Sequence, residues 1–298
     1  MKRINTSARM FLVCVWVLVW FKAPLVYGQC PALSEQQMRQ AVLWSGKPLV
    51  GNIYKLTNWY VQDGDSLSLA MGHRLRLGQI NATEMAAKGR PEQAYAKQAQ
   101  VQLKQQLQQH PLVYLQLQPE IKDHYGRWIV KLYDGLGASA EASLVAQGLA
   151  YVISMQGQGT QACLWRQESL ARRQGLGLWQ AAISQVRKAA ELTSLSGGFM
   201  RLQGTVTDIS QSQQHWYIGL GGQVGVKIAK HTLAASPFGI NSASELEAWK
   251  GQTLTVRGWL AWRKLNKKQR KKGFKAGLMS LYHWQMLEQL RRPTRSEG

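Results

Sequence analysis

Acidic side chains are scarce in this sequence: 16 Asp and Glu stand against 37 Lys and Arg, a formal net charge of +21. Such an excess repels cationic partners and draws polyanions from a distance, so the natural partner is nucleic acid or an anionic membrane surface. Cysteine is nearly missing, with Cys14, Cys30 and Cys163 the three present. None belongs to a Cys-x-x-Cys pair or has a histidine at zinc-ligand spacing, which argues against a structural zinc site. Long apolar runs are also lacking. The run over 10–21 stops at 12 residues, interrupted by Lys22 and Pro24, short of the roughly 20 that a membrane-spanning helix needs. No internal repeat of fixed period is apparent. Gly219, Gly221, Gly222 and Gly225 fit no nucleotide-binding fingerprint and read as a hairpin turn between strands.

What is present begins with an export signal. Lys2, Arg3 and Arg9 precede the apolar run, and Val26-Tyr27-Gly28 follows it, so cleavage is expected after Gly28 and the mature protein is expected to be periplasmic or secreted. Removing that segment takes away four basic residues and no acid, leaving 33 against 16, or +17, so the basic character belongs to the mature chain. Cys30 and Cys163 remain in a compartment that oxidises thiols and are expected to pair. Closing so long a loop is worth ~3 to 5 kcal/mol in the chain-entropy model.

At 298 residues the chain has room for two modest cores. Strand character runs over 49–60 and 66–69. It then alternates over 73–80, which places Arg76 on the open face of a half-buried strand. Residues 91–109 predict a helix with Pro91 in its first turn and Tyr95, Ala99, Leu103 and Leu107 on one face. Strands are expected over 112–117 and 128–133 and helices over 141–147 and 163–174. Residues 181–195 read as a helix-capable connector and Ser196-Gly197-Gly198 as a linker. Five further strands, over 199–207, 216–220, 224–228, 253–262 and 278–282, suggest a small all-β barrel. The expected division is a signal to 28, a first domain over 29–180, a connector over 181–198, a β domain over 199–290 and a basic tail over 291–298.

The chemistry lies between residues 61 and 133. Asp63-Gly64-Asp65, then Arg76 and Glu84, then Lys122-Asp123-His124-Tyr125-Gly126-Arg127 supply what phosphodiester hydrolysis needs. Carboxylates hold a hard cation and activate water, and two guanidiniums neutralise charge building on phosphorus. Taken singly, Asp-Gly-Asp and Tyr-Gly-Arg are ordinary turn sequences. The ordered combination carries the argument.

On those residues, together with Pro91-Glu92, the run Leu144-Val145-Ala146-Gln147-Gly148-Leu149-Ala150 and Gly175-Leu176-Gly177-Leu178-Trp179, the segment over 51–179 resembles the thermonuclease, or staphylococcal-nuclease-like, family. The resemblance implies a five-stranded OB barrel with three helices, hence an α+β chain in which an OB-fold nuclease domain precedes a smaller, OB-like β domain. It also implies an endonuclease that cuts DNA and RNA with low sequence specificity using Ca2+. Asp65 would be the calcium-binding carboxylate, Glu84 the general base, and Arg76 and Arg127 the phosphate clamps, with Tyr125 a nucleic-acid contact. The sequence departs from the family pattern in one place: Asn81-Ala82-Thr83-Glu84 stands where the family has Asp-x-Pro-Glu. Asn81 and the Ala82 carbonyl can still offer oxygen to calcium, but without the second charge, so weak metal binding or a noncatalytic nucleic-acid-binding protein are both consistent with the sequence.

Lys264, Lys267, Lys268, Arg270, Lys271, Lys272 and Lys275 form the densest charge in the chain. A basic loop of this kind tracks a phosphate backbone, or an anionic membrane surface, if it is not simply solvated, and Trp259 and Trp262 nearby can stack on bases where exposed. Those two tryptophans lie three apart in a strand, so at most one is expected in the core.

Overall fold

The computed structural model describes residues 30–45, 48–70, 72–87, 89–155, 161–180 and 182–291. The expected export signal and the tail beyond residue 291 lie outside them. The N-terminal part contains α1 (Glu35–Gln40), β1 (Val42–Leu43), β2 (Ile53–Leu56), β3 (Trp59–Val61), β4 (Ser66–Leu69), β5 (Arg74–Leu77), β6 (Ile80–Ala82), α2 (Ala96–Gln108), β7 (Val113–Lys122), β8 (Trp128–Tyr133), α3 (Ala140–Ala146), β9 (Ala150–Val152) and α4 (Ala162–Arg173). After it come β10 (Arg187–Lys188), β11 (Gly198–Thr205), β12 (Ile209–Gln211), β13 (His215–Gly219), β14 (Val224–Ala229), α5 (Lys230–Ala234), α6 (Ala243–Glu247), β15 (Thr253–Trp262), α7 (Lys267–Lys271), β16 (Gly277–Leu281) and β17 (Leu287–Arg291). The chain is α+β: a mixed region of strands and helices is followed by a second, predominantly β region.

Alternation explains the strands. In β4 and β5 the leucines Leu67, Leu69, Leu75 and Leu77 are buried, which fixes the register of both. In α2 the face Ala99, Leu103 and Leu107 is fully buried. The first sheet has the order β1-β2-β7-β8-β5-β4-β3 and the second β10-β11-β15-β16-β14-β13-β12, with β17 added to β15. Position by position the two orders correspond. In each, one long-range pair is parallel, β5 with β8 and β14 with β16, and a two-residue parallel strand decorates one edge.

The barrels expected from the sequence are not closed by continuous ladders. Setting aside the two-residue edge strands β1 and β10, each sheet is an open path whose ends are consecutive pieces of chain, β2 and β3 in the first, β11 and β12 in the second. The strand that would close the first barrel breaks at Asn58, whose φ of 47° is left-handed and incompatible with extended pairing.

Three further expectations change. Helix α2 begins at Ala96, not near Pro91, because the backbone before it is spent on the strand exit: Gln93 donates its N–H to the Glu84 carbonyl (3.0 Å) and accepts from the Glu84 N–H through Oε1 (2.9 Å). The connector is not an α-helix. Short 3-10 turns at Ala182–Ser184 and Ala189–Glu191 flank β10, which pairs along the edge of β11 while Ala189 and Leu192 bury, and a helix could not do both. Nor is Ser196-Gly197-Gly198 a free linker, since Gly198 opens β11 and the Ser196 carbonyl accepts from Trp262 Nε1.

Buried apolar contacts run unbroken from the first sheet to the second. Charges are buried at the same junction. Arg257 of β15 donates through Nη1 (2.7 Å) and Nη2 (2.5 Å) to Glu168 of α4, whose Oε1 also accepts from the Val152 N–H (2.7 Å). Arg201 of β11 grips Glu288 of β17 through Nη2 (2.6 Å), with Arg172 of α4 3.6 Å from the same carboxylate. The second region is thereby fixed against α4. A disulfide joins Cys30 to Cys163 at the start of α4, with Cα atoms 5.2 Å apart.

Candidate active site

Asp65 sits at the entry to β4, after a turn in which the Asp65 N–H donates to Asp63 Oδ1 (2.9 Å). Gly64 is required there for a reason other than turn formation: a Cβ on it would stand 2.5 Å from the Ala99 Cβ and 2.6 Å from the Ala82 Cβ, so only glycine lets α2 and β6 close over the turn. Antiparallel pairing sets Ser66 opposite Arg76, and the parallel pairing of β5 with β8 sets Arg76 opposite Ile129, which brings Arg127 to the same sheet end.

These side chains form one network. Arg76 Nη1 lies 2.7 Å from Asp65 Oδ2, and Arg76 Nη2 donates to Asn81 Oδ1 (3.0 Å). Asp65 Oδ2 accepts from the Ala82 N–H (2.7 Å), and Asp65 Oδ1 accepts from Ser66 Oγ (3.0 Å). Ser66 Oγ in turn accepts from Arg127 Nη1 (3.3 Å), while Arg127 Nε donates to Asp123 Oδ2 (2.7 Å). Asp123 also builds the turn, accepting from the N–H groups of Tyr125 and Arg127 at 2.9 Å each. Gly126, at φ 75°, lets the chain reverse there. Arg74 Nη2 holds the turn by donating to the Tyr125 carbonyl (2.9 Å).

Arg76 is therefore buried, 4% exposed, and not on an open strand face as the alternation predicts. An alternating pattern places a side chain on one side of a strand, but not what covers it, and here Asp65 and Asn81 do. Burial pushes the Asp65 carboxyl up to about 7 despite the opposing pull of the Arg76 guanidinium. Burial also works to raise Asp123, but the hydrogen bonds from Arg127 outweigh it and hold that carboxyl below its ordinary value.

The network opens into a cleft of about 560 Å³ lined by Asp65, Arg76, Asn81, Glu84, Tyr125 and Arg127, with Asp63, Lys122, Asp123 and His124 beside them. All three expected catalytic residues thus share one cavity with Asp65, Asn81 and Tyr125. Glu84 is exposed at its rim, just after β6. The basic residues of the second region are not there. Lys264 and Arg270 line a separate hollow with Trp262, Lys267–Lys271 form α7, and Lys275 pairs with Asp208 (2.7 Å).

Residues 74–181 match a family model described as Staphylococcal nuclease homologue. The chain carries a staphylococcal-nuclease-like domain. The match takes in Arg76, Glu84 and Arg127 and begins after β4, so Asp65 precedes it. No curated protein matches the chain.

The family is generally calcium-dependent, and the donors here suit a hard cation in kind: the Asp65 carboxylate, the Asn81 amide oxygen and the Ala82 carbonyl are all oxygen, and hydrogen bonds already tie them together, with Asn81 Nδ2 donating to the Ala82 carbonyl (3.1 Å). They suit it poorly in charge. Among the described residues no three His, Cys, Asp or Glu side chains are placed to hold a metal. Arg76 must also release Asp65 and Asn81 before a cation can enter. Ser66 and Asp123, which position Arg127, carry no role in the sequence reading, though Asp123 belongs to a quoted motif and Ser66 directly follows another. Trp259, Ala261 and Ser280 of the second sheet, with Tyr282 just after β16, also line the cleft; the sequence singles out Trp259 among them, and alternation along β15 and β16 is the signal for Ala261 and Ser280.

Proposed function

We propose that this protein is an exported endonuclease that hydrolyses phosphodiester bonds of DNA and RNA with calcium as cofactor. The observation that carries the reading is the continuous chain from Asn81 through Arg76, Asp65, Ser66 and Arg127 to Asp123 in a single cleft with Glu84 at its edge. Export rests on the segment over 1–28, and the Cys30–Cys163 disulfide supports an oxidising compartment.

Asp123 and Ser66 take Nε and Nη1 of Arg127, which fixes the plane of its guanidinium and leaves Nη2 for a phosphate oxygen. Arg76 adds a second positive charge beside the phosphorus. Glu84, exposed and outside the ion pairs, accepts the proton of the attacking water. Asp65, Asn81 and the Ala82 carbonyl would hold the calcium, which would supply Lewis-acid polarisation of a phosphate oxygen. As the new P–O bond forms, the P–O bond to the leaving sugar oxygen breaks, that oxygen takes a proton from solvent water, and the product phosphate and alcohol leave by the open side of the cleft.

The test is cleavage of labelled DNA and RNA by the mature chain in calcium, in magnesium and in chelator. Glu84→Gln is expected to lower the rate about 10²- to 10⁴-fold with binding retained, and cleavage surviving that change would reassign the base. One observation favours a second reading, a noncatalytic nucleic-acid-binding protein: the internal closure of Asp65, Arg76 and Asn81. Retardation of DNA without cleavage at any calcium concentration would select it.

Asn81→Asp restores a charged ligand and should tighten calcium roughly tenfold or more. In the native form the affinity follows Asp65. A carboxyl raised to about 7 is protonated below that pH and cannot ligate, so calcium affinity should climb from pH 6 to pH 8. Isothermal titration with calcium at those two pH values checks both statements.

A further inference from the structure

We propose that the second sheet supplies the opposite wall of the catalytic cleft and restricts it to unpaired strands, with Trp259 and Tyr282 as the surfaces on which bases stack. The proposal rests on reading the cleft as a phosphodiesterase site and adds the substrate class. Trp259 and Tyr282 are large aromatics left 37% and 42% exposed, and both line the cleft that holds Arg76, Glu84 and Arg127. Trp259 also lines an adjoining hollow of about 370 Å³, which shares Asn81, Glu84 and Tyr125 with the cleft and adds Arg90 and Gln93. It therefore stands where the two cavities meet, on the path a strand must take past Glu84.

The wall is built by alternation. In β15, Leu260 is buried while Trp259 and Ala261 reach the cleft. In β16, Met279 and Leu281 are buried while Ser280 reaches it, followed at the strand exit by Tyr282. The antiparallel register Leu260↔Met279 brings Trp259 to the level of Ser280, so the small side chains Ala261 and Ser280 lie beside the two rings and leave room for flat groups. Trp259 is braced by Phe199, with ring centroids 5.0 Å apart and edge-to-face, which keeps its indole from folding back. The wall as a whole is held by the buried Arg257–Glu168 pair two residues along β15.

The two sides of the cleft then differ in chemistry. Guanidiniums and Lys122 lie on the first domain's side and suit phosphates, while aromatic faces lie on the other and suit bases. Tyr125, 61% exposed, is the one aromatic on the phosphate side that lines both cavities. A duplex keeps its base faces covered by its own stacking and offers only groove edges and phosphates, so it cannot use this wall. A single strand can turn its bases out onto it.

The experiment measures fluorescence anisotropy of a labelled 12-nucleotide single strand and of the blunt duplex of the same sequence, titrated with the full mature chain in chelator so that no cleavage intervenes. Wild type is expected to bind the single strand at least about tenfold more tightly than the duplex. Trp259→Ala and Tyr282→Ala should each weaken single-strand binding by roughly 5- to 150-fold, the effect of losing one base–aromatic stack. Trp259→Phe, which keeps a ring, should retain most of it, with far-UV circular dichroism confirming that each variant is folded. Equal affinity for the two substrates, binding of neither, or alanine variants indistinguishable from wild type would overturn the proposal. Parallel cleavage assays in calcium separate this from the enzyme reading. A chain that never cuts but loses its single strand on Trp259→Ala keeps the aromatic wall and rejects the nuclease. A chain that cuts and ignores the substitution does the reverse.

Discussion

Lysine in place of Arg127 is expected to lower kcat on an oligonucleotide by about 10²- to 10³-fold, equivalent to about 2.7 to 4 kcal/mol of transition-state stabilisation, with a much smaller change in KM. The guanidinium is held in one plane by two separate acceptors, Asp123 at Nε and Ser66 at Nη1, so its remaining donors are aimed before substrate arrives. An ammonium keeps the positive charge but is a point donor on a flexible stem. It can satisfy Asp123 or a phosphate oxygen, not both in a fixed geometry. Asp123 is the other half of the effect. Its carboxyl is held below its ordinary value largely by Arg127, so it stays ionised and keeps its grip on the arginine at any pH at which the enzyme would work. Because Arg127 lies at the sheet end rather than in the core, the variant should melt near the wild-type temperature, and a kcat within threefold of wild type would remove Arg127 from the chemistry. Arg76→Lys is a less clean experiment. Arg76 is buried, salt-bridged to Asp65 and bonded to Asn81, so its loss perturbs stability and catalysis together.

Local pattern carried the elements whose packing is local. Ser66–Leu69 and Thr253–Trp262 have in the structure the bounds that their strand-forming composition predicts, and the apolar face of α2 is the one its spacing predicts. What failed was wherever a distant segment decides. Pro91 is a good first-turn residue, yet the helix waits until Ala96 because residues 84 and 93 bond each other first. The connector after residue 181 has helical composition, yet the exposed edge of β11 takes it as a strand. Arg76 is identifiable as a candidate clamp by residue type and order, but its burial depends on Asn81, which is five residues away in sequence and on another strand. Gly64 shows the same limit from the other side: Asp-Gly-Asp reads as a turn, while the structure needs glycine there because a helix that starts some thirty residues later lies against it.

The correspondence between the two sheets was less legible still. Their strand orders agree through seven positions although the sequence shows no repeat of fixed period, since a strand order is specified by which faces are apolar and where the chain turns rather than by particular side chains. The consequence for function is that the second sheet presents its own outer face to the first domain's cleft and brings aromatic, not charged, residues to it. Trp259 stood out beside the basic loop because of its sequence position. Space puts it with Glu84 instead, and leaves Lys264 and Arg270 in a different hollow.

Alanine at Glu168 should destabilise the protein by about 3 to 5 kcal/mol, because it strands the Arg257 guanidinium, buried at 2% exposure, without its bidentate partner and removes the acceptor of the Val152 N–H. Glu288 offers incomplete rescue: it lies 3.7 Å from Arg257 Nε and is already engaged by Arg201. Urea unfolding followed by tryptophan fluorescence is the measurement, and a loss below about 1 kcal/mol would show that water or Glu288 takes over the charge. Replacing both partners by methionine tests what the pair is for. Removing two buried charges together is often neutral or stabilising, so Glu168→Met with Arg257→Met should recover most of the stability lost in the single variant. It would not recover the orientation that two parallel hydrogen bonds impose between α4 and β15, two residues from Trp259. The double variant is therefore expected to unfold at near wild-type urea while its single-strand affinity falls with that of Trp259→Ala, and unchanged affinity would mean that apolar contacts alone hold the second sheet over the cleft.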